Sequence, residues 1–439
     1  MTTNCFIFDA NKCVGCMACV VGCTLANGTQ GRTNWRTVHQ YNPLRHPELP
    51  VFHYSLACNH CGDAPCMKNC PAMAYARDEK TGAVIHHAES CIGCKYCTWA
   101  CPYDAPKFNA TNGIVEKCNL CIEKINAGAM PACADACPVG ALSYGAALPN
   151  GDTVVTPGFT QQAIRPRIHL IPSRKKTTIP EIITNQPAPI PVGNIQAMLP
   201  LREGKISAAG EWSLVAFTLL VPAIAAWIAS AITHKSPFSK TLFVSLCLLA
   251  LLGSLLHLGK KQRAWRALSN LKNSWLSREI LSFSAFVGCA FLYLLLPEPL
   301  LGWAVVGLAL TTLISIDFVY KLVRPAKEFP IHSSSAWLTG LLLWSLITNS
   351  FFVSVTLIAV KGALYIRRKN DQTIQRDWNS TFLRLVRLVP LLVAPAIIMM
   401  NPAYGLWAAL AALVGETADR IDFYNEAAVP DPAKASENP

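Results

Sequence analysis

Across residues 146–439 the sequence has two cysteines, Cys247 and Cys289, of the nineteen in the chain, and the long apolar runs are confined to residues 210–420. The two parts therefore carry different chemistry, and 439 residues are enough for more than one domain. The opening residues, MTTNCFIFDANKCVGC, lack a basic segment followed by an apolar one and have no twin arginine, so no export signal is expected on this chain. The net charge of +12 is missing from the cysteine-rich part, where eleven Lys and Arg face ten Asp and Glu. It lies instead in the linker, with its run Arg174-Lys175-Lys176, and in loops between apolar segments, which fits membrane topology, and no nucleic-acid partner is expected.

Sixteen of the cysteines fall into four groups. Cys13, Cys16, Cys19 and Cys23 are spaced C-x2-C-x2-C-x3-C, and Cys91, Cys94, Cys97 and Cys101 repeat that spacing. Cys58, Cys61, Cys66 and Cys70 read C-x2-C-x4-C-x3-C, and Cys118, Cys121, Cys133 and Cys137 form two separated pairs. A cubane iron–sulfur cluster needs four thiolates. Three cysteines on one tight loop reach three corners, and the fourth corner takes the distant cysteine of a partner motif, usually one that precedes proline. Cys70-Pro71, Cys101-Pro102 and Cys137-Pro138 have that proline; Cys23-Thr24 does not. Structural zinc uses separated pairs, and three overlapping cysteines do not suit one tetrahedron. Cysteines this close cannot all form disulfides without strain. Cys5, Cys247 and Cys289 lie outside the groups, the last two as packing residues in apolar segments.

The pattern predicts a cluster-binding head over 1–160, a proline-rich linker over 161–209, a transmembrane domain over 210–425 and a disordered tail over 426–439. In the linker, Pro166, Pro172, Pro180, Pro187, Pro189, Pro191 and Pro200 favour extended chain. Eight apolar segments follow: 212–232, 241–258, 280–296, 300–319, 335–348, 350–366, 385–400 and 402–423. Several are shorter than the ~20 residues that an untilted span prefers. Eight spans put the head and the C-terminus on one side. That side receives the loops with Lys260, Lys261, Arg263, Arg266, Lys272 and Arg278, with Lys321, Arg324 and Lys327, and with Lys361, Arg367, Arg368, Lys369, Arg376, Arg384 and Arg387. The other side has Lys235 and Lys240 and little else, so the expected location is the cytoplasmic (inner) membrane with the head facing the cytoplasm, a periplasmic head being the alternative.

In order and spacing, the four groups over residues 5–145 resemble the four-cluster ferredoxin-like B subunits of the dimethyl sulfoxide reductase family of molybdopterin oxidoreductases. GEWSLVAFT at 210–218, HLGKKQRAWRALSNLKNSWLSREI at 257–280 and GETADRIDFY at 415–424 are similar to the membrane-anchor (C) subunit of the same enzymes. The resemblance implies an α+β ferredoxin-like four-cluster head fused to an all-α transmembrane bundle of about eight helices. It implies four [4Fe-4S] clusters, each drawing on two motifs. One takes Cys13, Cys16, Cys19 and Cys137; another takes Cys23, Cys118, Cys121 and Cys133. A third takes Cys58, Cys61, Cys66 and Cys101, and a fourth Cys70, Cys91, Cys94 and Cys97.

In the anchor family the histidine of His-Leu-Gly and the glutamate of the following Ser-x-Glu are implicated in quinol binding; here these are His257 and Glu279. An imidazole and a carboxylate at a membrane boundary can bind quinol hydroxyls and accept their protons. Arg263 is suited to orienting the quinone oxygen, whereas Asp317 and Glu416 also lie near segment ends and fit packing or loop pairing. His257 and His332 are the candidate haem ligands and lie near one interface, so no haem is expected.

With head and membrane segments taken up in this way, the resemblance implies a separate molybdopterin catalytic subunit, with menaquinone or ubiquinone as exchangeable substrate in the lipid. Electrons would run from quinol to that subunit, or towards quinone in a sulfite-dehydrogenase-like complex. A non-redox membrane protein with a zinc-stapled head is the alternative of another class. The purified protein should be brown and hold about sixteen irons per chain, a cubane having four; a colourless zinc protein would exclude the iron reading.

Overall fold

A computed structural model describes residues 4–29, 33–41, 51–146, 164–171, 206–323, 331–369 and 378–427. The chain divides into two compact units between Glu203 and Gly204.

The first unit contains β1 (Asn4–Asp9), α1 (Ala18–Asn27), β2 (Thr37–Tyr41), β3 (Phe52–Leu56), α2 (Pro65–Lys68), β4 (Tyr75–Arg77) and β5 (Val84–His86). It continues with α3 (Tyr96–Ala100), β6 (Lys107–Asn109), β7 (Ile114–Glu116), α4 (Ile122–Asn126), α5 (Ala132–Asp135), β8 (Leu142–Ala146) and β9 (Ile168–Ile171). The strands are short, three to six residues each. β1 is the middle of a three-stranded sheet, antiparallel to β8 and parallel to β9. The other strands pair two by two as antiparallel ladders, β2 with β3, β4 with β5 and β6 with β7. The ordered head thus runs to Ile171, into the segment whose proline content reads as linker. Pro166 precedes that strand, and β9 lies at a sheet edge, where neighbouring proline is tolerated. Linker residues 172–205 and tail residues from 428 onward lie outside the described residues.

The second unit contains eight α-helices among its described residues: α6 (Trp212–His234), α7 (Lys240–Leu256), α8 (Trp275–Leu295), α9 (Pro299–Val319), α10 (Ala336–Ile347), α11 (Phe351–Lys369), α12 (Trp378–Met400) and α13 (Gly405–Glu426). Three stretches, Trp212–His234, Trp275–Leu295 and Pro299–Leu322, are long and apolar enough to cross a membrane. They become four if Lys240–Leu256 and Lys261–Leu268, bent by 99°, count as one. α10 has only 12 residues, and α11 and α13 carry charged side chains towards their ends. Large apolar residues such as Leu252, Leu300 and Phe352 face outward. Inside, Leu342, Leu346, Leu391, Ala394, Ala408 and Ala412 form a core. Gly415 lets α12 and α13 approach closely: a Cβ there would lie 2.7 Å from the Arg387 carbonyl oxygen.

Lys361, Arg368 and Arg387, read from the sequence as charges of a head-side loop, are instead buried within helices and paired with carboxylates of α13. Lys361 lies 3.1 Å from the Glu416 carboxylate, and Arg387 of α12 donates to Glu416 at 2.8 Å. Arg387 also reaches Asp419 at 3.0 Å, and Arg368 donates to the other Asp419 oxygen at 2.6 Å. Ser333, just before α10, donates to that same oxygen at 3.0 Å. Asp317 of α9 accepts the Ala336 amide at 2.7 Å, so it satisfies a free N–H at the start of α10. Arg387→Ala would leave Glu416 with Lys361 as its buried ion-pair partner and Asp419 with Arg368, and removing one member of so buried a charge group should cost about 3–5 kcal/mol. Thermal unfolding in detergent measures this, and a loss below about 1 kcal/mol would mean that the pairs behave as solvated ones.

Candidate functional site

Each cysteine motif opens with the same turn. The residue just before the second cysteine has a left-handed backbone in all four: Gly15 (φ 70°), His60 (φ 45°), Gly93 (φ 71°) and Leu120 (φ 64°). The turn directs that residue's amide at the sulfur two positions back. His60 N–H donates to Cys58 Sγ at 3.4 Å, Gly93 N–H to Cys91 Sγ at 3.4 Å and Leu120 N–H to Cys118 Sγ at 3.3 Å; Gly15 serves Cys13 likewise. Such N–H···S bonds favour thiolate and stabilise added electron density on a cluster. Short helices then present later cysteines, with Cys19 and Cys23 on α1, Cys66 on α2, Cys97 on α3 and Cys133 on α5.

The sulfurs gather across motif boundaries. Cys58, Cys61, Cys66 and Cys101 line one small cavity, and Cys70, Cys91, Cys94 and Cys97 line another. Cys13 has Cys19, Cys137 and Cys16 as charged neighbours. Cys23 has Cys133 and Cys121, and Cys118 adjoins Cys133 and Cys23. Asn27 Nδ2 donates weakly to Cys23 Sγ at 3.8 Å and Cys121 Sγ at 3.9 Å. Among the described residues no three Cys, His, Asp or Glu converge closely enough for a single metal ion. Cysteines spread around a cavity fit a polynuclear iron–sulfur group and not one tetrahedral zinc.

The quartets are also neighbours of one another. Cys19 lies near Cys133, Cys118 near Cys58, and the buried Tyr75 near both Cys66 and Cys97. Two buried cations stand at the junctions. Arg36, 2% exposed, donates to Ser55 Oγ at 2.9 Å and adjoins Cys133, Cys118 and Cys19. Lys117, 3% exposed, donates to the Cys118 carbonyl at 2.8 Å, to the Val84 carbonyl and to Cys58. Burial favours its neutral amine, but the charge of Cys58, Cys66 and Cys118 outweighs this and raises its pKa. Burial works on the thiols in the opposite sense, pushing Cys23 up to about 12 and Cys61, Cys94 and Cys118 upward as well. Thiolate at these positions therefore depends on bound iron and on the two cations. Sequence reading missed Arg36, which has no local signal. Lys117 could have been suspected from its place beside Cys118.

In the second unit, His257 ends α7 and Arg263 lies in the 3-10 helix Lys261–Leu268, beyond the bend. Glu279, 7% exposed, is near the start of α8 and has Asp317 and Tyr320 as electrostatic neighbours. Tyr320 in turn bonds the Tyr424 hydroxyl of α13. Glu416 belongs to the buried ion-pair group.

A cysteine-built head for iron–sulfur clusters joined to apolar helices defines a membrane-bound iron–sulfur electron-transfer protein. Residues 50–147 match the family model "4Fe-4S dicluster domain", and residues 207–407 match "DMSO reductase anchor subunit (DmsC)". The B subunit of the anaerobic dimethyl sulfoxide reductase of Haemophilus influenzae is 36% identical over 148 residues, covering 32% of this sequence and 72% of that protein. Its Escherichia coli counterpart is 35% identical over the same length and shares. The B subunit of the tetrathionate reductase of Salmonella typhimurium is 38% identical over 141 residues, 32% of this sequence and 56% of its own. The protein belongs to the dimethyl sulfoxide reductase family, as an iron–sulfur B component fused to a membrane-anchor C component.

If the cavity quartets are ligand sets, Cys61→Ser and Cys101→Ser should alter the same electron paramagnetic resonance signal, although they sit in different motifs. Cys70→Ser should alter another. Separate signals lost in Cys61→Ser and Cys101→Ser would break the assignment.

Proposed function

We propose that this chain links membrane quinol to a separate molybdopterin catalytic subunit through four [4Fe-4S] clusters. The observation that carries the reading is the gathering of sixteen cysteines into four neighbouring quartets. Cys13, Cys16, Cys19 and Cys137 would hold one cluster, and Cys23, Cys118, Cys121 and Cys133 the next. Cys58, Cys61, Cys66 and Cys101 would hold the third, and Cys70, Cys91, Cys94 and Cys97 the fourth. Bound there, the clusters supply one-electron steps. The protein's own groups exclude water, direct amides at sulfur and balance charge through Arg36 and Lys117.

In the membrane unit, all eight helices would cross the bilayer, with shorter or charged ones shielded by neighbours. Quinol oxidation releases two protons with its two electrons. Glu279 and His257 would bind the quinol hydroxyls and accept those protons, and Arg263 would orient the ring oxygen. Relatives named as reductases support flow from quinol to the catalytic partner. The Lys and Arg bias supports a cytoplasmic head in the inner membrane and so favours the second reading, flow towards quinone in a sulfite-dehydrogenase-like complex.

The test is isolation of the tagged protein with its partners from native membranes, followed by molybdenum assay and activity measurement. Quinol-driven reduction of S-oxides, N-oxides or nitrate supports the first reading, and sulfite-driven quinone reduction the second. Recovery without a molybdenum subunit would overturn the catalytic partner. His257→Ala should abolish quinol-driven cluster reduction with iron content unchanged, and an unchanged rate would remove His257 from the site.

A further inference from the structure

The four cysteine turns differ at one position. Where the first and third have glycine in the left-handed conformation and the fourth has Leu120, the second has His60. A left-handed backbone costs a side chain something at any residue, and such outliers collect where a side chain has work to do. His60 is 2% exposed and is one of the residues that line the cavity of Cys58, Cys61, Cys66 and Cys101. Its Nδ1 accepts the Val84 amide at 3.0 Å. A ring nitrogen that accepts carries no hydrogen, so the neutral ring has its hydrogen on Nε2. That Nε2 is buried and has no protein partner. Buried donors are rarely left unsatisfied, and an orphan at a ligand cavity marks a bond to the ligand. The Val84 carbonyl accepts from Lys117, so β5 is fastened beside the ring.

We propose that His60 Nε2–H donates a hydrogen bond to a sulfur of the iron–sulfur group held by Cys58, Cys61, Cys66 and Cys101, and thereby raises the reduction potential of that group. The inference rests on the ligand assignment under Proposed function. Reduction adds one negative charge to the cluster, and a donor at its sulfur favours that reduced state. His60 is a positioning and tuning residue: it is no iron ligand, and the cluster assembles without it. Leu120 shows that leucine is accommodated in this turn, which makes His60→Leu the substitution of choice, and His60→Gln retains an N–H.

The experiment is a redox titration of the full-length protein with its partners in membranes, followed by electron paramagnetic resonance, with Cys101→Ser identifying the signal. His60→Leu should shift the reduction equilibrium of that cluster about tenfold towards the oxidised form, about 59 mV for one electron. The other signals and the iron content should stay as they were, and His60→Gln should recover part of the shift. Pulsed measurement on wild-type protein should show an exchangeable proton and a histidine nitrogen coupled to the same signal, the nitrogen identified by 15N-histidine labelling. An unshifted potential at full iron content would overturn the proposal. If His60→Leu loses iron, the wild-type coupling decides, and its absence overturns the proposal too. Failure of the ligand assignment shows separately, as different signals lost in Cys61→Ser and Cys101→Ser.

Discussion

Sulfur that is buried and must be ionised has to be met by positive charge, and the head is arranged around that requirement. Burial alone pushes Cys23 and Cys61 towards neutral thiol. Iron supplies most of the compensation in an iron–sulfur protein, and the chain adds Arg36 and Lys117 at the two places where quartets adjoin. The thiolates favour the charged form of both cations against burial, and the cations in turn favour thiolate at the cysteines beside them. The apolar core is correspondingly thin, with Phe6, Phe8, Tyr54 and Tyr96 among its larger members. A head with so few long elements leans on metal binding for its folding free energy.

The helical unit solves the same problem with opposite materials. Lys361, Arg368 and Arg387 are fully or almost fully buried, each against a carboxylate of α13. Because the partners come from α11, α12 and α13, the charges fix the order in which these helices can pack, while alanine and leucine fill the space between them. Small residues at the contact, Gly415 above all, bring the backbones close enough for short side-chain bridges.

Much of this was legible from the residues. The spacing around Cys13 and Cys91 pointed to clusters, since the ligand pattern is local, and among the described residues eight helices lie where eight apolar segments were read, three of them long and apolar enough to cross a membrane, or four with the bent pair. What stayed hidden depends on contacts between distant positions. No local feature announces that Arg36 reaches Cys133, or that His60 lines a cavity with one ring nitrogen buried and unpartnered. Hydropathy likewise scored α13 as a segment with charged ends, and only the fold shows Glu416 and Asp419 paired with Lys361 and Arg387. β9 was missed because proline density in its surroundings masked four residues with strand character.

The central place of β1 has a temporal meaning. Its antiparallel neighbour is β8 and its parallel neighbour is β9, so the first strand synthesised cannot complete its sheet until residue 171 has left the ribosome. Chains grow from the N-terminus at roughly 5–20 residues per second, so the early cysteines are exposed for roughly 8–30 seconds. In that interval the nascent head is an open set of thiols, vulnerable to oxidation and to the wrong metal. Maturation of this protein is therefore a matter of timing, in which sheet closure sets the earliest moment at which the head can be sealed.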